Sequence, residues 1–225
     1  MDASLHFVES RDFRLASSPP IVIGVDVGQK RDPTAIAVIE AFRQEAPGQR
    51  HEYRFETRIL QRLPLGTPYP DVAERLAELV ANLANHPVAP NHAAPPLAML
   101  IDATGVGGPV VDLMRNALRG SRCRLTPVVF VHGERLTTVN RELRMGKEYL
   151  VSRLTALMQT RRVKLPEGHP EIDAMVQELL DYEIKTSDAG KATFGAFRTG
   201  AHDDLATALG LAVLRDPGGA GVWGT

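Results

Sequence analysis

The chain has 225 residues, 44% of them hydrophobic and 24% charged, a composition that fits a globular protein with ample length for a full core. Lys and Arg number 26 against 27 Asp and Glu, so no whole-molecule field draws the protein onto nucleic acid or membrane, and any such binding must come from local patches. The single cysteine, Cys123, excludes an intramolecular disulfide and a cysteine-built zinc site. It suits a reducing compartment, and with no signal peptide or spanning segment legible the expected location is the cytoplasm.

In chain order, residues 1–20 show no sustained period and end in Ser17-Ser18-Pro19-Pro20, which reads as a lead-in or linker remnant. A domain is expected over 21–215, and a flexible Gly-rich tail over 216–225. Ile21 to Val27 is a first strand, apolar on both faces but carrying Asp26 near its end. The polar, basic turn Gly28-Gln29-Lys30-Arg31-Asp32-Pro33 leads to a second strand over Thr34 to Phe42. Arg50 to Leu60 alternates, with Tyr53, Phe55, Thr57 and Ile59 on one face and Glu52, Arg54, Glu56 and Arg58 on the other, as a half-exposed outer strand would.

Asp71 to Asn85 puts Val72, Leu76, Leu79, Val80 and Leu83 on one helical face. After a Pro- and Asn-rich loop to Pro96, Leu97 to Asp102 repeats the first strand's grammar: apolar run, carboxylate, glycine turn (Gly105, Gly107, Gly108), then a helix over about 110–118. A fifth strand is expected over Leu125 to His132. A helix over Lys147 to Thr160 turns Leu150, Leu154, Leu157 and Met158 inward. Val163 to Leu165 reads as a short strand, and Glu171 to Tyr182 as a helix with Ile172, Met175, Val176, Leu179 and Leu180 on its apolar side. A hairpin over Glu183 to Phe197 with Asp188 to Lys191 at its turn, and a last helix over His202 to Leu214, complete the reading. Strands followed by strand–helix alternation predict an α/β fold: a mixed five-stranded sheet, antiparallel meander at one edge and parallel strands in the middle, with helices on both faces.

A charge late in a buried strand must be neutralised, paired or bound to a cation. If the strands ending in Asp26 and Asp102 lie parallel and adjacent, the two carboxylates stand about 5 Å apart at the sheet edge where such folds place ligands. Two acids that close repel unless one is protonated or a cation lies between them. A further acidic run, His202-Asp203-Asp204, opens the last helix. Successive helical residues point about 100° apart, so one of the two acids faces the sheet edge, and Asp204 is the expected one. Three Asp ligands without Cys or His imply a hard cation, Mg²⁺ or Mn²⁺. Two such ions about 4 Å apart serve phosphodiester hydrolysis. Taken singly, each residue has a plainer reading: Asp26 and Asp32 as turn formers, Asp203 or Asp204 as a helix cap, His202 as structural, Lys147 as a solvated lysine, the glycines as turn-makers.

As a set, Gly24-Val25-Asp26-Val27-Gly28 with Asp32-Pro33-Thr34-Ala35, Ile101-Asp102-Ala103-Thr104-Gly105-Val106-Gly107, and His202-Asp203-Asp204-Leu205-Ala206-Thr207-Ala208-Leu209 resemble the three acidic motifs of the nuclease domain of tailed-phage large terminase subunits, over about Val22 to Leu214. The resemblance implies a ribonuclease-H-like fold and a divalent-metal-dependent DNA endonuclease that cuts concatemeric viral DNA during genome packaging, by two-metal chemistry. It implies Asp26, Asp102 and Asp204 as catalytic metal ligands, with Asp203 a further metal ligand and Asp32 an accessory acid. Which of Asp203 and Asp204 is the principal ligand is left open. Gly146-Lys147-Glu148-Tyr149-Leu150 resembles the family's basic residue at a helix start, which implies Lys147 near substrate phosphate.

The implied partners are double-stranded DNA read without sequence specificity, a packaging ATPase motor, a small terminase subunit and a portal, in the cytoplasm of a bacterial host. The sequence holds no Gly-x-x-x-x-Gly-Lys-Ser/Thr loop, so DNA translocation is not expected of this chain alone. The basic clusters Lys30-Arg31, Arg141 to Lys147 and Arg161 to Lys164 are candidates for tracking a DNA backbone. Two other readings compete: an actin-like sugar kinase or ATPase, which shares the Gly-x-Asp-x-Gly turn, and a catalytically inactive DNA-binding or docking module.

Overall fold

The computed structural model describes residues 19–45, 51–85, 97–132, 136–186, 192–195 and 202–216. The expected lead-in, the loop after Asn85, the turn at Asp188 to Lys191 and the glycine-rich tail lie outside the described residues. The chain opens with three strands, β1 (Ile21–Asp26), β2 (Ala35–Glu45) and β3 (His51–Arg62), followed by helix α1 (Tyr69–Asn85). Next come β4 (Leu97–Asp102), α2 (Gly107–Ala117), β5 (Cys123–Phe130), β6 (Thr137–Val139) and β7 (Glu142–Met145). Helix α3 (Lys147–Gln159), β8 (Val163–Lys164), α4 (Pro170–Leu180), β9 (Glu183–Thr186), β10 (Ala192–Gly195) and α5 (Asp204–Ala212) complete it.

The main sheet runs β6-β7-β5-β4-β1-β2-β3-β8, with β9 and β10 paired separately. The β1–β2–β3 meander is antiparallel, while β1–β4, β4–β5, β5–β7 and β3–β8 are parallel. The mixed sheet is thus as expected, but with eight strands rather than five. The short strand β8 covers the outer edge of β3, and the hairpin β6–β7 extends the other edge. That hairpin turns on Asn140 and Arg141, both at positive φ (50° and 66°) between the paired Val139 and Glu142. Two such residues make the turn suited to a tight hairpin, but arginine in place of the usual glycine hides the signal.

Alternation along β1 and β4 sorts their side chains onto two cores. Ile21, Ile23, Val25, Leu97, Met99 and Ile101 pack with α1 and α2, whereas Val22 and Leu100 pack with α3, α4 and α5. Helices therefore cover both faces. By the same period of two, Asp26 and Asp102 belong to the face of α5. That helix is buried at all nine of its residues, which its apolar run allows. It lies directly on β1: a Cβ at Gly24 would stand 2.0 Å from the carbonyl oxygen of Ala208. Only glycine admits this approach, and it brings the start of α5 down to the end of β1.

Strand β3 departs from the simple alternation. Ile39 pairs with Thr57 and Val38 with Ile59, so Arg58 is an extra residue, a β-bulge. Ile59 consequently packs on the α1 face, not with Phe55 as the alternation predicts, and Leu60 joins Phe55 on the α5 face. With β8 beside it, β3 is not the half-exposed outer strand expected, and Phe55, Glu56 and Thr57 are buried. One further expectation fails: Leu180, assigned to the buried side of α4, is 73% exposed.

Candidate metal centre

The two strand-end acids meet as the sheet reading requires. Val25 and Ile101 are in register on parallel strands, so Asp26 and Asp102 are the next positions of neighbouring strands on one face. Both line an open cleft of about 760 Å³ together with Gly28 to Asp32, Tyr69, Thr104 to Val106, Lys147, Asp203 and Asp204. After β4 the chain leaves the sheet through Gly105, whose φ of 88° suits glycine. This turn aims the Thr104 N–H at Asp102 Oδ1, 2.7 Å away, while Thr104 Oγ1 accepts from the Phe130 N–H at 2.8 Å.

Burial, and then the charge of Asp102, hold the Asp26 carboxyl well above the usual carboxylate range; Lys147 works against that, and Asp203 and Asp204 add to it. Asp102 is raised as well, chiefly by burial, with the Thr104 hydrogen bonds and Lys147 opposing. Lys147 is the first residue of α3, where the helix dipole disfavours a cation. Its ammonium meets Asp203 Oδ2 at 2.7 Å and lies 5.6 Å from the centre of the Phe130 ring. Burial lowers its pKa, but Asp203, Asp26 and Asp102 outweigh that and leave it raised.

The two consecutive acids of α5 part company. Asp203 occupies the cap position but makes no side-chain capping bond, its carboxylate going to Lys147 instead. Asp204, the acid of the two expected to face the sheet edge, is 2% exposed and held by a fork from Arg62: Nε to Oδ2 at 2.8 Å and Nη2 to Oδ1 at 2.9 Å. Arg62 also binds Glu171 at 2.8 Å and Glu178. Glu178 in turn accepts the Ala206 N–H at 2.8 Å, which supplies the cap that Asp203 does not. Burial would raise Asp204, but the Arg62 hydrogen bonds prevail and hold it below its ordinary value. Glu178, buried and beside Asp204, is pushed up to about 8.

Arg62, Glu171 and Glu178 are site-supporting residues that the sequence reading missed. Glu178 stands three residues after the buried Met175 on α4, a charged residue on an apolar stripe, and that was its one visible signal. Asp32, expected as an accessory acid, meets His202 Nδ1 at 2.9 Å on the cleft rim. Among the described residues, no group of three or more His, Cys, Asp or Glu side chains stands close enough to hold one ion in this arrangement, Asp203 being closed on Lys147 and Asp204 on Arg62. The donor chemistry nevertheless fits a hard cation: Asp26, Asp102 and Asp203 offer only carboxylate oxygens, and two of them are half-buried acids whose mutual repulsion Lys147 offsets only in part.

A mixed sheet whose central parallel strands end in facing acids, under the start of a buried final helix, defines an α/β protein of the ribonuclease-H-like class. The profile of the Terminase RNaseH-like domain family matches residues 23–215, and the chain belongs to that family. Solved structures share the fold at low identity. The large terminase nuclease from thermophilic phage G20c is 21% identical, with 88% of this chain and 82% of that one covered at a TM-score of 0.57. The nuclease domain of the large terminase subunit of bacterial virus Sf6 is 13% identical over 88% of this chain and 90% of that one, with a TM-score of 0.58. The human cytomegalovirus terminase nuclease domain, soaked with Mn, is 14% identical over 91% and 86%, with a TM-score of 0.53. No curated protein matches the chain. Among the described residues no helix is long and apolar enough to cross a membrane.

Proposed function

We propose that this domain is a divalent-metal-dependent DNA endonuclease that cuts concatemeric viral DNA during genome packaging in the host cytoplasm. Family membership favours this over the actin-like kinase reading, and the Sf6 and cytomegalovirus relatives were solved with manganese or calcium. The observation that carries the proposal is the side-by-side placement of Asp26 and Asp102 in a cleft that also receives Asp203 and Lys147. Asp26, Asp102 and Asp203 would hold Mg²⁺ or Mn²⁺. Asp203 takes the role first given to Asp204, because Asp204 has both oxygens committed to Arg62.

Bound ions supply the activation of water and the stabilisation of the leaving oxygen. The chain's own part is to fix its ligands in place. Thr104 orients Asp102, and the Arg62 fork fixes the turn that presents Asp203. Lys147 neutralises Asp203 when no cation does so, and otherwise offers its three N–H donors to the phosphate oxygens of the substrate. The motor, small subunit and portal named by the resemblance belong to this reading as its partners. Asp26→Asn is expected to remove nicking and linearisation of plasmid DNA in Mn²⁺ while the circular dichroism spectrum and melting remain those of a folded protein. Cutting at the parent rate by that variant would refute the proposal.

A further inference from the structure

The turn between β1 and β2 is tied down more firmly than a surface loop requires. At its neck, Thr34 Oγ1 donates to the Gly28 carbonyl at 2.9 Å and accepts the Gly28 N–H at 3.2 Å. On one flank the Gly66 N–H donates to the Gln29 carbonyl at 2.8 Å, and on the other Asp32 meets His202 at 2.9 Å. Between these last two ties stand Lys30 and Arg31, both exposed and both on the cleft wall. Arg62, which reaches the back of the cleft, is spoken for by three acids, and away from the cleft Arg58 is paired with Glu40 and Glu56, and Arg153 and Arg162 with Asp216. Lys30 and Arg31 have no ion-pair partner among the described residues.

Two consecutive cations on a loop already fixed in place lose little freedom when an anion reaches them. The acids of the cleft lie half-buried on its floor and none pairs with Lys30 or Arg31, so the counter-charge at the rim must come from outside. A ligand that reaches both rim and floor needs anionic groups spaced along its length, which is the chemistry of a phosphodiester chain. We propose that the Lys30–Arg31 loop is a phosphate clamp, gripping the backbone of duplex DNA a short way from the phosphate that lies over Asp26 and Asp102. This rests on the nuclease reading and adds to it the residues that hold the substrate rather than the metal.

The test measures binding of a random-sequence DNA duplex by fluorescence anisotropy at several salt concentrations, in the Asp26→Asn background so that no cutting intervenes. Added K30A/R31A is expected to weaken binding about 10-fold at low salt and to make the slope of log K against log salt shallower by roughly 2, one unit for each phosphate no longer gripped. The charge reversal K30E/R31E should weaken it further, while Mn²⁺ affinity of the otherwise unaltered protein carrying K30A/R31A, read by calorimetry, stays within a factor of two. R43A/K164A, which removes two exposed cations away from the cleft, should change neither affinity nor slope. An unchanged slope in K30A/R31A, or an equal loss in R43A/K164A, overturns the clamp and leaves the nuclease reading standing. Failure of the Asp26→Asn protein to bind DNA at all, with metal-dependent cutting also lacking in the parent, overturns both.

Discussion

Two groups of acids lie back to back at the start of α5, and they resolve the same electrostatic problem in opposite ways. On the cleft side Asp26, Asp102 and Asp203 share one lysine and keep their mutual repulsion, so that the carboxyls of Asp26 and Asp102 are raised. Behind them Asp204, Glu178 and Glu171 surround one arginine whose fork satisfies Asp204 completely enough to hold it low. Consecutive residues, Asp203 and Asp204, thus belong to different worlds: one is part of a strained, open site and the other of a closed structural knot. The lesson is that strain at a site of this kind rests on an unstrained support next to it.

The sharpest way to break the contrast is to remove the two cations in turn. Arg62→Met leaves buried acids without a partner and is expected to cost about 3 kcal/mol or more of unfolding free energy in urea titrations. Lys147→Met should cost less than Arg62→Met, because it breaks one ion pair at the open cleft, whereas Arg62 holds three acids, two of them nearly fully buried. Equal costs would mean that the two clusters are energetically alike. A smaller effect, but one with a sign, comes from neutralising one acid in each cluster. Asp204→Asn forfeits the charged fork and should lose about 2 kcal/mol, whereas Asp26→Asn relieves repulsion and should gain about 1 kcal/mol when measured without divalent ions.

The mildest test is the pH dependence of melting. Because Glu178 is raised in the folded protein to about 8 from an ordinary 4.5, the folded state holds its proton more tightly. Its contribution is complete below the ordinary value and fades as pH rises through about 8. Asp204 is lowered, so its contribution is present above the ordinary carboxylate range and is lost in acid. Glu178→Gln should therefore flatten the alkaline decline in melting temperature and leave the acid limb alone. A decline as steep as in the parent would place the alkaline sensitivity elsewhere.

What was legible in the sequence was what strand geometry alone decides. Asp26 and Asp102 end apolar runs, and a parallel sheet leaves them no other place than side by side. The choice between Asp203 and Asp204 was not of that kind, because it depends on Lys147 and Arg62, which come from other elements. Arg62 itself was hidden by one residue. Continuing the alternation of Phe55 and Glu56 puts Arg62 on the polar face, and only the bulge at Arg58 turns it toward α5. The β6–β7 hairpin escaped for a local reason, since arginine seldom takes the left-handed conformation its turn demands.

The seating of α5 against Gly24 has a consequence for how the molecule comes into being. Strand β1, near the start of the described residues, is covered by α5, near their end, and the acids that line the cleft are joined only when both are present. Contacts between such distant segments are slow to form and come late in folding. During synthesis from the N-terminus the cleft is therefore complete only once α5 has been made, and a chain released before Asp203 lacks the third carboxylate that lines it.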